Sequence, residues 1–487
     1  MDFLPTEIII LISSSLCFHC ENPGVFPNAD IPGVVEDKRA LARLSRVSKR
    51  IRTIAQPVLF HYYATGNLPR LTSDRRLYSK ADDKLCAFLR SIIRRPDLAT
   101  CVKCIQFVQP HSLDLSHSGL AIELLDMKNE PKPPTVGKKS DFRRALASLS
   151  PKTLHPLVDD LLTTLVPSLE ALLLVRTDWS FRTASMSSLK VLSLQGLRRM
   201  YTPRQIAAVL AACPNLETLY AVDWAFFGRS DPEFSFGVLP NLKKLVLGGI
   251  SLPHFKRLLH SCPSLQDIEY YVEVYEETDD TWKAKYLMDG LSAVKNTLKR
   301  FSYAHTLRID YKDDYYRVDE FLHYSYVNRL PEWKYETYLC FSDFENLEDL
   351  AIEHASLNCR SSRNQDTVQF TTLLPPSIKK LQLMYVCPGI TDPLIRLARE
   401  APVKFPHLKC LRIGMAESIY PYSAKEYSRM KEVEPAFAEA GVEVQWGQDT
   451  FPTHPESLVP GGYVGSELFP VPTIGFQNTG LREPSVH

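Results

Sequence analysis

Leu216-Glu217-Thr218-Leu219-Tyr220-Ala221, Leu242-Lys243-Lys244-Leu245-Val246-Leu247 and Leu265-Gln266-Asp267-Ile268-Glu269-Tyr270 are three readings of one pattern. Each places apolar residues at the first, fourth and sixth positions, with polar residues mostly between. The alternation at the end of each copy is that of a strand with one face toward a core. The pattern extends in both directions. Upstream it occurs from Leu169 and Leu189; downstream from Leu298, Leu347, Ile378 and Leu408. Four copies open alike, at Pro167-Ser168-Leu169, Pro214-Asn215-Leu216, Pro240-Asn241-Leu242 and Pro263-Ser264-Leu265. Helical patterns fill many gaps, including 202–212, 255–261, 293–298 and 392–400.

The first steps between copies are 20, 27, 26 and 23 residues, and the later ones 33, 49, 31 and 30. A period in the twenties with one strand and one helix or turn per unit resembles a leucine-rich repeat. The resemblance implies an α/β fold in which each strand stacks on the next and helices close the back. Residues 98–446 are read this way, as an irregular solenoid (horseshoe), with Val102 to Phe107 as its first strand and Val442 to Val444 as its last. A loop at 109–141, rich in Pro and Lys, and an insertion at 305–343, rich in Tyr and Asp, interrupt it. The tyrosines of the insertion are read as filling an irregular repeat of their own. A helix from Ala424 to about Ala440 precedes Gly441, and residues 447–487 form an irregular or disordered tail.

The N-terminus has a different pattern. Leu4-Pro5-Thr6-Glu7 opens a helical run that continues to Leu16; Pro5 and Glu7 suit a first turn. A second run, Arg39 to about Gln56, puts Leu41, Leu44, Val47, Ile51 and Ile54 on one face. Its other face carries Arg39, Arg43, Arg46, Lys49, Arg50 and Arg52. Pro57-Val58-Leu59-Phe60 closes it. Two short helices bury too little surface to stand alone, so they lean on the rest of the chain or on a partner.

These three pieces, in this order over residues 1–63, resemble an F-box of the fungal type. A longer, Pro-rich insert at 18–37 departs from the family pattern. The resemblance implies docking on a Skp-family adaptor, and through it on a cullin–RING complex, in an SCF ubiquitin ligase. It assigns first-helix contacts to Leu4, Pro5, Ile8, Ile9 and Ile12. It assigns Leu44, Val47, Ile51 and Leu59 to the second helix and its close. A connecting segment at 64–97 holds a helix from Lys84 to Arg95. The function implied is substrate recognition, with the repeats binding an unknown protein target. The alternative is a repeat scaffold that binds partners without ligase assembly.

Composition excludes several other functions. Net charge is +1 among 487 residues, so no global field attracts nucleic acid or an anionic membrane. Eleven scattered cysteines, an odd number, argue for a reducing, intracellular setting in the cytoplasm or nucleus. The apolar run at Ile8 to Ile12 lacks the basic flank of a signal peptide, and no run reaches membrane-spanning length. Phosphate-cradling loops and nucleophile elbows are missing. Asp310, Asp313 and Asp314 with His305 and His323 match no calcium or hydrolytic pattern. No enzyme activity and no cofactor are expected.

Cys17-Phe18-His19-Cys20 has ligand-type spacing, but a structural zinc takes four ligands and no second pair follows closely. No metal is therefore expected. Cys213 and Cys262, at matching repeat positions, read as small buried residues. On the inner face of the repeats, Tyr220, Asp267, Glu269, Tyr271, Asp349 and Glu353 are the expected target contacts. Their character suggests a target with a basic segment.

Overall fold

The computed structural model describes residues 4–23, 26, 33–64, 85–108, 165–175, 185–195, 203–222, 235–248, 250, 252–274, 284–307, 339–357, 370–386, 388–415 and 424–448. The 109–141 loop, nearly all of the 305–343 insertion, Tyr271's side chain and the tail from 449 onward lie outside the described residues. So do the aspartates at 310, 313 and 314. The described residues group into two compact units, one up to Asn241 and one from Leu242.

The first unit begins with four helices: α1 (Thr6–Ser15), α2 (Phe18–Glu21), α3 (Val34–Leu44) and α4 (Lys49–Leu59). The single second run expected from sequence is thus two helices. The break falls at Ser45–Ser48, because Ser48 leaves the helical conformation and caps α4: its hydroxyl accepts from the Ile51 amide at 3.2 Å. Ile9, Cys17, Leu41, Ile51, Ala55 and Val58 form the common core, with Leu4, Leu16, Leu44, Ile54 and Leu59 packed at its margin. Arg50 ties the start of α1 to α4 by donating to the Leu4 carbonyl at 2.7 Å.

Strands follow: β1 (Tyr62–Ala64), β2 (Cys104–Val108), β3 (Ala171–Val175), β4 (Val191–Gln195) and β5 (Thr218–Val222). Each pairs in parallel with the next. Helices α5 (Leu85–Arg94), α6 (Pro96–Ala99) and α7 (Pro203–Ala211) lie between them in sequence. β1 was not anticipated; it begins where the F-box-like segment was expected to end. Its Tyr62 is buried, donates from its hydroxyl to Gln106 Oε1 at 2.8 Å, and carries Lys38 over its ring. Through Tyr62 and Lys38 the N-terminal helices are tied to the start of the sheet.

The second unit contains β6 (Lys244–Gly248), β7 (Asp267–Val274), β8 (Arg300–Leu307), β9 (Asp349–Glu353), β10 (Lys380–Val386), β11 (Cys410–Met415) and β12 (Glu443–Gln448). These too pair in parallel and in chain order. Its helices are α8 (Leu252–His260), α9 (Ala284–Leu291), α10 (His354–Leu357), α11 (Phe370–Leu373), α12 (Thr391–Lys404), α13 (Ala424–Met430) and α14 (Val433–Glu439). The one helix expected at 424–440 is two. Gly441 follows with φ +72°, the left-handed conformation that ends such a helix.

All nine copies of the sequence pattern are strands. Their fourth positions align: Leu172, Leu192 and Leu219 in the first unit, then Leu245, Ile268, Phe301, Leu350, Leu381 and Leu411 in the second. All are buried. In several copies the Asn or Ser just before the first Leu or Ile of the pattern stitches its turn to the preceding one. Asn215 donates to the Ser187 carbonyl at 2.8 Å, Ser188 to Pro167 at 2.9 Å, Asn346 to Asn296 at 2.7 Å and Ser377 to Leu347 at 2.8 Å. A short side-chain donor at this position satisfies a carbonyl of the neighbouring turn and fixes the spacing between turns. The architecture is mixed α/β with sequential parallel strands, compatible with a solenoid.

Candidate functional site

Helix α1 is apolar nearly all round, from Ile8 to Ile12. A helix of that kind is ordinarily covered on every side. Among the described residues of the helix, only Ile9 and Ser13 are buried. Ile8 is 41% exposed, Leu11 67% and Ile12 39%, and these three share a face by helical spacing. Val47, in the turn between α3 and α4, is 57% exposed. The exposed apolar surface and the exposed basic residues of α3 and α4, Arg39, Arg43, Arg46, Lys49, Arg50 and Arg52, belong to the same small helical assembly.

The expected adaptor contacts therefore divide. Pro5, Ile8, Ile12 and Val47 are at the surface. Leu4, Leu44 and Leu59 are half-buried at the core margin. Ile9 and Ile51 point inward and are buried, so as direct contacts they are corrected to core residues. Helical spacing defines a face but not which of two faces is already occupied, and α4 uses its apolar face against α1 and α3. Leu11, the most exposed of the large apolar residues of α1, was missed; its signal was its position three residues from Ile8.

No protein-family model matches the chain, and no curated protein is similar to it.

The inner-face residues of the repeats also sort differently from expectation. Asp267 and Glu269 lie on the strand face opposite Ile268 and Tyr270, as the alternation requires, yet both are nearly buried. Asp267 pairs with Arg300 at 2.6 Å and with Lys244 at 3.8 Å; Glu269 pairs with Lys244 at 3.3 Å. The register explains this. Lys244, Asp267, Arg300, Asp349 and Lys380 stand side by side on β6 to β10, alternating in sign. Cross-strand neighbours of opposite charge stabilise each other. The row alternates in sign, so Asp267 and Glu269 are committed to cations of this chain, and the expectation that they face a basic target segment is corrected accordingly. Glu353 is fully buried and Tyr220 nearly so, which removes both from an open contact surface. Asp349 remains half-buried.

A third assembly was half visible in the sequence. Cys17 precedes α2 and Cys20 lies within it, while His61 follows α4. Cys20 Sγ is 3.2 Å from His61 Nδ1, and the Cys17 and Cys20 sulfurs lie within 4.8 Å of each other. The Cys20 side chain beside it holds the Cys17 thiol below its ordinary range, against the opposing effect of burial, and the His61 ring adds to it. Cys20 is held correspondingly high. His19, buried beside them, is held low by its burial. His61 was not singled out in the sequence: it lies 41 positions from Cys20 and has no motif of its own.

The eight described cysteines are all free. Cys213 and Cys262 are buried, as their repeat positions implied, and burial pushes both thiols up to about 12. Among the described residues, no helix is long and apolar enough to cross a membrane.

Proposed function

We propose that this chain is the substrate-recognition subunit of an SCF-type ubiquitin ligase, docking on a Skp-family adaptor through its N-terminal helices and holding a target protein through a leucine-rich-repeat-like solenoid. The observation that supports it is the exposed apolar face of α1, formed by Ile8, Leu11 and Ile12, with a further exposed apolar residue, Val47, in the turn between α3 and α4. Within the resemblance stated above, this is the helix that meets the adaptor. Complete burial of one such side chain contributes about 1.5–3 kcal/mol, so covering these partly exposed residues supplies a few kcal/mol toward association. On this reading the protein breaks no bond itself. It raises the effective concentration of a target near a ubiquitin-charged enzyme.

The test is co-purification of the full-length chain with a Skp-family adaptor. Leu11→Asp and Ile8→Asp place a charge on the docking face without entering the core, and each is expected to weaken binding at least about tenfold, equivalent to about 1.4 kcal/mol. Val403→Asp, on an exposed residue of α12, serves as the control. Adaptor binding that survives both α1 variants, or no binding by the wild-type chain, sinks the ligase reading and leaves the scaffold.

A further inference from the structure

The Cys17, Cys20 and His61 cluster has no part in the docking face or the repeat rows. Its three donor atoms all lie within 4.8 Å of one another. In a tetrahedral zinc site, with Zn–S about 2.3 Å and Zn–N about 2.0 Å, adjacent donors sit about 3.5–3.8 Å apart. Cys20 Sγ and His61 Nδ1, at 3.2 Å, already stand near that spacing. Small side-chain adjustments suffice to admit an ion.

The backbone presenting these donors is well fixed. The Cys20 amide donates to the Cys17 carbonyl at 2.9 Å, closing the turn that brings the two thiols to one side. The His61 amide donates to Val58 at 3.1 Å, and the His61 carbonyl accepts from the amides of Lys103 and Cys104, both at 2.9 Å. Two distant stretches are thus held with their ligand atoms converging before any ion arrives. A second observation comes from His19. It is 9% exposed, its Nδ1 has no hydrogen-bond partner among the described residues, and its ring meets that of His61 edge-on with centroids 6.0 Å apart. A buried imidazole nitrogen without a partner is costly unless something satisfies it.

We propose that Cys17, Cys20 and His61 bind a zinc ion, with His19, whose ring lies edge-on to that of His61, as the candidate fourth ligand. Thiolate and imidazole donors select zinc over magnesium, calcium or manganese, which take oxygen ligands. The ion would join the end of α1 and the start of α2 to the end of α4. It would act as a clasp on a helical assembly with a small core. This inference does not depend on the ligase reading, since adaptor binding plays no part in its test.

The experiment uses the full-length chain, purified reduced, stripped with a chelator and titrated with Co²⁺ and then Zn²⁺. The expected result is a thiolate-to-cobalt charge-transfer band with strong visible bands of a tetrahedral ion, saturating at about one ion per chain and displaced by Zn²⁺. Cys20→Ser, at a surface-accessible position, should keep the far-UV circular dichroism of the wild type. It should weaken Co²⁺ binding by more than the roughly 10–100-fold that loss of an outer hydrogen-bonding partner costs. His61→Ala should do the same, and Cys101→Ser, at the first cysteine of Cys101-Val102-Lys103-Cys104, should change nothing. A reduced wild-type chain that shows no thiolate band, or a folded Cys20→Ser variant with wild-type bands, overturns the proposal.

Discussion

Replacing Asp267 by alanine tests the charge row of the second unit. Asp267 is 6% exposed and lies between Arg300, at 2.6 Å, and Lys244, at 3.8 Å, on the two flanking strands. Removing one partner of a buried ion pair costs about 3–5 kcal/mol, whereas a fully exposed pair contributes about 0–1 kcal/mol. Arg300 is half-exposed and regains water when the carboxylate goes, and Lys244 keeps Glu269 at 3.3 Å. The expected destabilisation therefore falls between the two limits, at about 2 kcal/mol. Asp267→Lys, which puts three cations side by side, should cost more. Exchanging the charges, Asp267→Arg with Arg300→Asp, should recover part of the loss and give a positive coupling in a double-mutant cycle. Urea denaturation followed by tryptophan fluorescence and circular dichroism measures each value; urea, being uncharged, leaves the ion pairs unscreened. A loss below about 0.5 kcal/mol for Asp267→Ala, the range of ordinary surface sites, would refute the argument. The same row limits target-capture experiments, because charge reversal at Asp267 or Glu269 perturbs the sheet before it reports on a ligand.

Two further outcomes follow from burial. Ile51→Ala should cost about 2–5 kcal/mol, since Ile51 is in the helical core, while Leu11→Ala should cost less than about 0.5 kcal/mol because Leu11 is mostly exposed. Equal losses in urea denaturation would mean that the core and the docking face have been exchanged. Cys213 and Cys262, whose thiols are pushed up to about 12 by burial, should resist alkylation at neutral pH in the folded chain and react once it is unfolded. Modification of either in the native protein, read by mass spectrometry of its peptides, would contradict their placement.

Strand positions were legible from local spacing because a strand that stacks on its neighbours needs apolar residues at fixed positions, and those positions repeat. Leu219, Leu245 and Ile268 show it directly. Helix ends were less legible. The break at Ser45–Ser48 depends on a single capping hydroxyl, and a continuous apolar periodicity from Leu41 to Ile54 runs across it. β1 escaped notice because three residues carry no period.

The sequence by itself determined the repeated strands, their helices, and an N-terminal helix too apolar to be solvated on all sides. Only the tertiary structure decided which face of that helix is covered, since Ile8, Ile9 and Ile12 are chemically alike and differ only in what packs on them. Only the register between strands decided that Asp267 meets Arg300 and Lys244, setting the acidic residues into a row that alternates in sign. Only folding brought His61 to Cys17 and Cys20. Spacing along a chain reports what a residue's own element requires, while pairing between distant elements is set by how they pack, and a single histidine carries no sign of that in its neighbours.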